Sequence, residues 1–376
     1  MAGSTVPTGP VQDSVVRDDA VRAAVPQLRT SGEVWSVVAF GAEGPRDARD
    51  RALALLADVS DVGGALAVAP QLPATLRPGG DGTVAVWELL ATVASRDLGL
   101  ARAIEPHLDA LAILAQAGLA PDDVVTDGAR ASWGVFAAEG PAATLAAQAS
   151  DDGRVVLLNG TKPWCSLADR LDAALVTARD AAGERQLYAV DLRHAGVAAA
   201  AEEWVARGLT EIPSTGLELT AVPAVAVGEP GWYLERPGFA WGGAGVAACW
   251  YGGAVGLART LREQVARRSD AELLLMHLGD VDEHLHAARA VLGEAAREVA
   301  AGRPTPVTTA RVRAVVARTC ERVLRTVAHA LGPAPLALDA AHAKRVADLE
   351  IYVRQHHAER DLVSLGRKNL ATGPSW

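Results

Sequence analysis

The chain has 376 residues, half of them hydrophobic and only 4% aromatic, with a formal net charge of −9 at neutral pH. That length allows one large domain or two to three packed ones, and the acidic balance without a long basic run argues against nucleic acid as a main partner. Cys165, Cys249 and Cys320 are too scattered for a metal site or a disulfide framework, which predicts a reducing, cytoplasmic setting.

Residues 1–12 have neither a basic start nor an apolar run, and are expected to be a disordered tail rather than a signal peptide. Residues 13–121 read as a helical domain. Ala48, Ala52, Leu55, Leu56 and Val59 form one stripe of a helix over 46–59. A Pro- and Gly-rich loop over 69–82 precedes helices over 84–95 and 98–117. His107 lies inside the last of these and reads as structural.

From 122 to 230 β-branched runs and turn dipeptides predict a β-domain, antiparallel and barrel-like. Strands are expected at 154–158, 173–178, 186–191 and 217–220. Asp152-Gly153, Asn159-Gly160 and Ala182-Gly183 read as turns. Residues 231–376 predict an up-down four-helix bundle over 243–268, 271–301, 306–331 and 336–367, divided by Gly/Pro clusters. Pro237 to Ala258 has no charge and is long enough to span a bilayer. Its seven glycines make it only weakly apolar, so it reads as a loop entering a buried helix, with no membrane partner.

Leu158-Asn159-Gly160-Thr161-Lys162-Pro163-Trp164-Cys165-Ser166 combines a turn dipeptide, an aromatic plane and a hydroxyl. In extended chain Trp164 and Ser166 project on the same side. An indole covers a flat ring and a hydroxyl donates to a ring nitrogen, which suits a flavin. A hairpin with a core tryptophan and a solvated serine is the alternative.

This stretch, inside a chain of helices, β-domain and helical bundle, resembles the Leu-Asn-Gly-x-Lys-x-Trp-Ile-Thr/Ser motif of the acyl-CoA dehydrogenase family. Val135-Phe136-Ala137-Ala138-Glu139 resembles the family strand along the flavin. Trp204 to Leu209 resembles its Gly-x-Arg segment, and Ala328 to Pro333 sits where it carries Gln-x-x-Gly-Gly. The resemblance implies FAD, with Phe136, Ala138, Trp164, Ser166, Arg268 and Gly332 as cofactor residues. It implies removal of hydrogens from Cα and Cβ of an acyl-CoA or other acyl thioester, an electron-acceptor flavoprotein as partner, and a homodimer or homotetramer.

The departures are specific. The family's glutamate base falls on Val353, or in some members on a position that aligns with Val246. The loop glycine after it is missing, so 349–365 reads as one unbroken helix. Gly-Ser-Asp is replaced by Gly140-Pro141-Ala142-Ala143, and Arg268 lacks its Phe-Gly. His356 and His357, the latter with Asp361 at i, i+4, are the candidate catalytic bases. A polar network closing the bundle end or an interface is the other reading. Three functions remain open: an FAD-dependent acyl thioester oxidoreductase, a reduced-flavin monooxygenase that needs no such base, and a non-catalytic subunit.

Overall fold

The computed structural model describes residues 27–29, 34–140, 145–150, 155–201, 203–268, 271–303 and 306–372; the expected tail over 1–12 and the turn at 152–153 lie outside them. A short antiparallel pair, β1 (Gln27–Arg29) and β2 (Val34–Ser36), opens the described chain. Four helices follow: α1 (Asp47–Leu56), α2 (Val62–Val68), α3 (Gly82–Arg96) and α4 (Leu98–Gln116). Asp61 and Asp97 start α2 and α4 by accepting the N–H groups of Gly64 and Leu100. Glu88 of α3 is fully buried. It holds Arg46 at 3.0 Å, Arg49, and the backbone N–H of Phe40, tying the entering chain to the helical layer.

A short helix α5 (Pro121–Val124) leads into β3 (Trp133–Phe136), β4 (Ala146–Ala149), β5 (Val156–Lys162), β6 (Ala173–Arg179), β7 (Arg185–Asp191), β8 (Val197–Ala199) and β9 (Leu217–Val227). β6, β7, β9, β5 and β4 pair in a ring that returns to β6, giving the barrel-like closure. The sheet is mixed rather than purely antiparallel, because β3 and β4 both meet β6 in parallel. Ala182-Gly183 is a turn, with Gly183 at φ +81°. Asn159-Gly160 is not. It lies inside β5, where the register against β9 shifts between Leu158 and Gly160, Gly160 takes φ +118°, and Asn159 Oδ1 accepts the N–H of Ala221 at 2.8 Å. The dipeptide's tolerance of positive φ serves a bulge.

After a one-turn helix α6 (Trp232–Glu235), the bundle comprises α7 (Pro237–Ala266), α8 (Glu272–Ala300) and α9 (Pro306–Leu331), then α10 (Pro333–Leu338), α11 (Ala340–Tyr352) and α12 (Glu359–Thr372). The expected loop before residue 243 is corrected: α7 starts at Pro237 and runs through Gly242-Gly243. Two of its glycines are there for packing. A Cβ on Gly252 would sit 2.2 Å from the carbonyl oxygen of Ala91, and one on Gly256 2.6 Å from that of Ser95, so only glycine lets α7 lie against α3. No helix among the described residues is long and apolar enough to cross a membrane.

The expected unbroken helix over 349–365 is also corrected. α11 ends at Tyr352, a 3-10 turn covers Val353–Gln355, and Ala358 takes φ +45° before α12. Arg313 of α9 captures the freed carbonyl of Gln355 at 2.8 Å, and Asp361 accepts the N–H of His357 at 3.2 Å. These bonds offset the strain of a non-glycine residue in the left-handed region. The main core runs continuously from Val37 through α3, the sheet and α7 to Val353. A second cluster packs Ile113 and Leu114 of α4 on Trp133, Leu175 and Leu187 of the sheet.

Candidate functional site

β5 ends at Lys162, and the chain then turns sharply. Trp164 and Leu167 both have φ +59°. The N–H of Cys165 donates to Thr215 O and that of Leu167 to Pro213 O, each at 2.8 Å, so residues 164–167 are pinned on 213–215. Trp164 and Ser166 therefore do not alternate as in a strand, which corrects the extended-chain expectation. Trp164 is 61% exposed, with its indole free of the core. Ser166 is buried, its Oγ 2.7 Å from Ser214 Oγ and accepting from Arg102 Nη2 at 3.0 Å.

Lys162 is a buried ammonium held by Glu139 Oε1 at 3.1 Å and Thr177 Oγ1 at 2.7 Å, with Arg185 also on Glu139 at 3.3 Å. This ties the loop after β3 to the end of β5. A Cβ on Gly140 would come within 3.5 Å of the Pro163 ring. Exposed Ala138 and exposed Trp164 thus flank one rim of the β-domain, while Phe136 is packed into the core.

Arg102 leads from that rim into the helices. On α4, Arg102, Glu105 and Asp109 fall at i, i+3 and i+7, one face of an otherwise apolar helix. Arg102 Nη1 stands 3.5 Å from Glu105 Oε2, a long contact that leaves most of the carboxylate's desolvation uncompensated. Burial lifts Glu105 to about 7, with Arg102 opposing, Asp109 adding to the rise and Arg313 opposing. Asp109 is raised too, again by burial, and the Arg236 guanidinium 3.9 Å from its Oδ1 is beyond hydrogen-bond reach.

Glu105 and Asp109 line a narrow cavity of about 20 Å³ between α3, α4 and α7, with Trp87, Trp241, Gly242 and Gly245 among its walls. The indole N–H groups of Trp87 and Trp241 and Asp109 Oδ1 have no hydrogen-bond partner among the described residues. Tyr352 and Cys249 complete the surroundings of Glu105. Burial raises both, and each feels the Glu105 charge. Trp250 meets Tyr352 edge-on at 6.3 Å and carries Arg313 over its other face at 4.7 Å.

The candidate bases follow the 3-10 turn after α11, and Arg313 acts on both His356 and Glu105. His356 is buried and its Nε2 is 3.8 Å from Asp361 Oδ2, while His357 is exposed with Nδ1 3.4 Å from Asp361 Oδ1. Burial lowers the affinity of His356 for a proton, Asp361 opposes this and Arg313 reinforces it. Val353 is fully buried and Val246 partly so. Arg268 is exposed just past α7, and Gly332, at φ +68°, joins α9 to α10. His107 is buried on the opposite side of α4, accepting the N–H of Trp133 at 3.3 Å, as its structural reading expects.

The sequence reading missed Arg102, Glu105, Asp109 and Arg313. The first three carried a signal: charged residues at helical spacing on one face of an apolar helix. It also missed a clasp joining all three regions. Lys344 Nζ of α11 lies 3.0 Å from Asp97, 2.6 Å from Glu211 and 2.6 Å from Asp348, and Asp348 Oδ1 accepts the N–H of Leu209 at 2.6 Å.

A helical layer, a β-domain with an open indole on its rim, and a helical bundle meet at one polar junction. The chain has the acyl-CoA dehydrogenase fold. The family model described as acyl-CoA dehydrogenase, C-terminal domain, matches residues 230–355. Butyryl-CoA dehydrogenase from Megasphaera elsdenii superposes at a TM-score of 0.70 with 18% identity over 87% of this chain and 99% of that one. A glutaryl-CoA dehydrogenase from Mycobacterium smegmatis in complex with FADH2 gives 0.71 and 17% over 88% and 95%. TdsC from Paenibacillus sp. A11-2, a dibenzothiophene monooxygenase, in complex with FMN and indole gives 0.66 and 17% over 77% and 84%. A comparison with curated protein sequences gave no match.

Proposed function

We propose that this chain is a flavin-dependent oxidoreductase that acts on an acyl thioester. The observation that carries the reading is Trp164, an exposed indole two residues from a buried hydroxyl that Arg102 links to the buried Glu105. An aromatic side chain held at positive φ and left uncovered by its own fold is built to cover something flat. A flavin fits there: Trp164 would lie on its ring, Ser166 and Arg102 would supply hydrogen bonds, and Ala138 would border it. When bound, the flavin supplies the two-electron acceptor. FAD is the form we propose, with acyl-CoA as substrate, an electron-acceptor flavoprotein as partner, and a homo-oligomer in a reducing compartment as the setting.

A second reading has its own support. Valine at both positions where the resemblance expects a base suits reduced-flavin oxygen chemistry, which needs none. Oxygen consumption that depends on NADH and a flavin reductase would favour it.

The test is the visible spectrum of the purified protein with FAD, followed by anaerobic addition of butyryl-CoA. A yellow protein that bleaches supports dehydrogenation. A protein that takes up neither FAD nor FMN refutes the proposal and leaves the non-catalytic reading. Trp164→Ala should leave the unfolding midpoint unchanged, because the side chain is 61% exposed. It should weaken flavin binding by about tenfold or more, the loss expected for one aromatic stack and its buried area.

A further inference from the structure

We infer that Glu105 on α4 is the acid–base group of this site, replacing the glutamate that the resemblance expects at 353 or 246. The inference rests on the acyl thioester reading and deepens it. Residues adjacent in sequence to both vacated positions lie near Glu105, although neither valine is on the cavity wall. Gly245, next to Val246, lines the same cavity as Glu105. Tyr352, next to Val353, is buried against Cys249 and within the field of Glu105. Arg102 links this carboxyl, at 3.5 Å, to the Ser166 hydroxyl on the rim, at 3.0 Å.

The surroundings suit proton transfer. The Glu105 side chain is about nine-tenths buried, so water does not hold its proton. Its ion contact among the described residues, Arg102, is shared with Ser166. The groups facing it are Arg102 and Asp109 on α4, Cys249 on α7, Arg313 on α9 and Tyr352 on α11. Together they leave a carboxyl whose affinity for a proton lies near neutrality, where one group both takes and returns a proton efficiently. The cavity wall adds the unpartnered indole N–H groups of Trp87 and Trp241, donors within the same enclosure. In the step inferred, the C–H bond at Cα of the thioester breaks, the proton goes to a Glu105 carboxylate oxygen, and the electron pair stays on the substrate as an enolate. The oxidant for the second hydrogen is the flavin.

His356 and His357 are the competing bases. His357 is exposed, and His356 is turned to Asp361 at the bundle end. Neither is among the cavity walls.

The experiment uses the full chain as purified, with and without added FAD, and butyryl-CoA as probe in D2O. Exchange of the α-proton for deuterium requires a base and no net redox step. Wild type should exchange, and Glu105→Gln should lose exchange and flavin bleaching by about 10²- to 10⁴-fold. Glu105→Asp should keep part of both. In carboxyl-labelled, flavin-free protein, one carbon resonance should titrate near 7 and vanish in Glu105→Gln. Exchange by Glu105→Gln within threefold of wild type overturns the role of Glu105 while the flavin reading stands. So does a loss in His356→Gln with none in Glu105→Gln. Exchange without flavin uptake refutes the flavin reading alone. A wild-type protein that neither exchanges nor bleaches overturns both. If Glu105→Gln fails to fold, Glu105→Asp carries the same comparison through the pH dependence of exchange, whose midpoint should move from that of wild type; an unmoved midpoint overturns the inference.

Discussion

Replacing Glu105 by glutamine measures what the polar junction costs the fold. Burial raises Glu105 from 4.5 to about 7. Because the folded value is the higher one, the unfolded chain ionises first as pH rises. Below about 4.5 the group is neutral in both states and contributes nothing. Between 4.5 and about 7 the unfolded state gains progressively, and above that the penalty is constant. That interval, at about 1.4 kcal/mol per tenfold change in proton affinity, amounts to about 3 kcal/mol. Glutamine is nearly isosteric and carries no charge, so it removes the penalty. It also loses the long contact to Arg102 at 3.5 Å, worth about 1 kcal/mol. Glu105→Gln should therefore match wild type or fall slightly below it at pH 4, and exceed it by about 2 kcal/mol at pH 8. Urea unfolding at both pH values, followed by tryptophan fluorescence, reads the difference directly. The same difference between variant and wild type at both pH values would refute the reasoning, because it would mean that the folded carboxyl ionises as easily as the unfolded one.

His107 has the opposite sign. Burial lowers it from 6.5 to about 4, so the stability it contributes is complete above about 6.5 and is lost as pH falls toward 4, by up to about 3 kcal/mol. His107→Gln, whose amide oxygen still accepts the Trp133 N–H, should flatten that acid limb; an unchanged slope over the interval in pH-dependent denaturation would count against it. Lys344→Met leaves Asp97, Glu211 and Asp348 without their shared cation. With the ammonium 37% exposed, solvent screening limits the loss to about 1–2 kcal/mol, and adding Asp348→Asn should recover part of it in a double-mutant cycle. Gly208→Ala would push a Cβ to 2.0 Å from the carbonyl oxygen of Ala347, parting the β-domain from α11. A midpoint loss of about 1–3 kcal/mol is expected, and none would show that this contact yields freely.

Much of the architecture follows from local pattern. α1, α3, α4, α8 and α9 carry apolar stripes and clear terminators, and the sheet strands carry β-branched runs. The misreadings share one cause, a distant partner. Asn159-Gly160 is a bulge because β9 passes beside it with Ala221 in place to meet Asn159. α11 stops at Tyr352 without glycine or proline because Arg313, 42 residues away, binds the released carbonyl of Gln355. Gly242-Gly243 sits inside a helix because Asp109 needs the space where a Cβ on Gly242 would lie, 2.9 Å from its Oδ1. At the site, Trp164 and Ser166 were legible as a motif, though not their irregular backbone. Glu105 belongs to no motif, and its signal in the sequence is a charge on an apolar helix face.

The Lys344 clasp also bears on synthesis. Its partners Asp97 and Glu211 lie 247 and roughly 130 residues before it in the chain. At about 5–20 residues per second, those two carboxylates wait on the order of ten seconds for their cation. Until then the helical layer and the β-domain meet across two like charges with nothing between them. The packing of α4 on Trp133, Leu175 and Leu187 does not depend on that cation, so the clasp is a late tie between regions that an apolar cluster already joins. A chain that ends just short of residue 344 carries an unneutralised acidic pair at the joint, while one that extends past residue 348 holds the cation that ties all three regions at a single point.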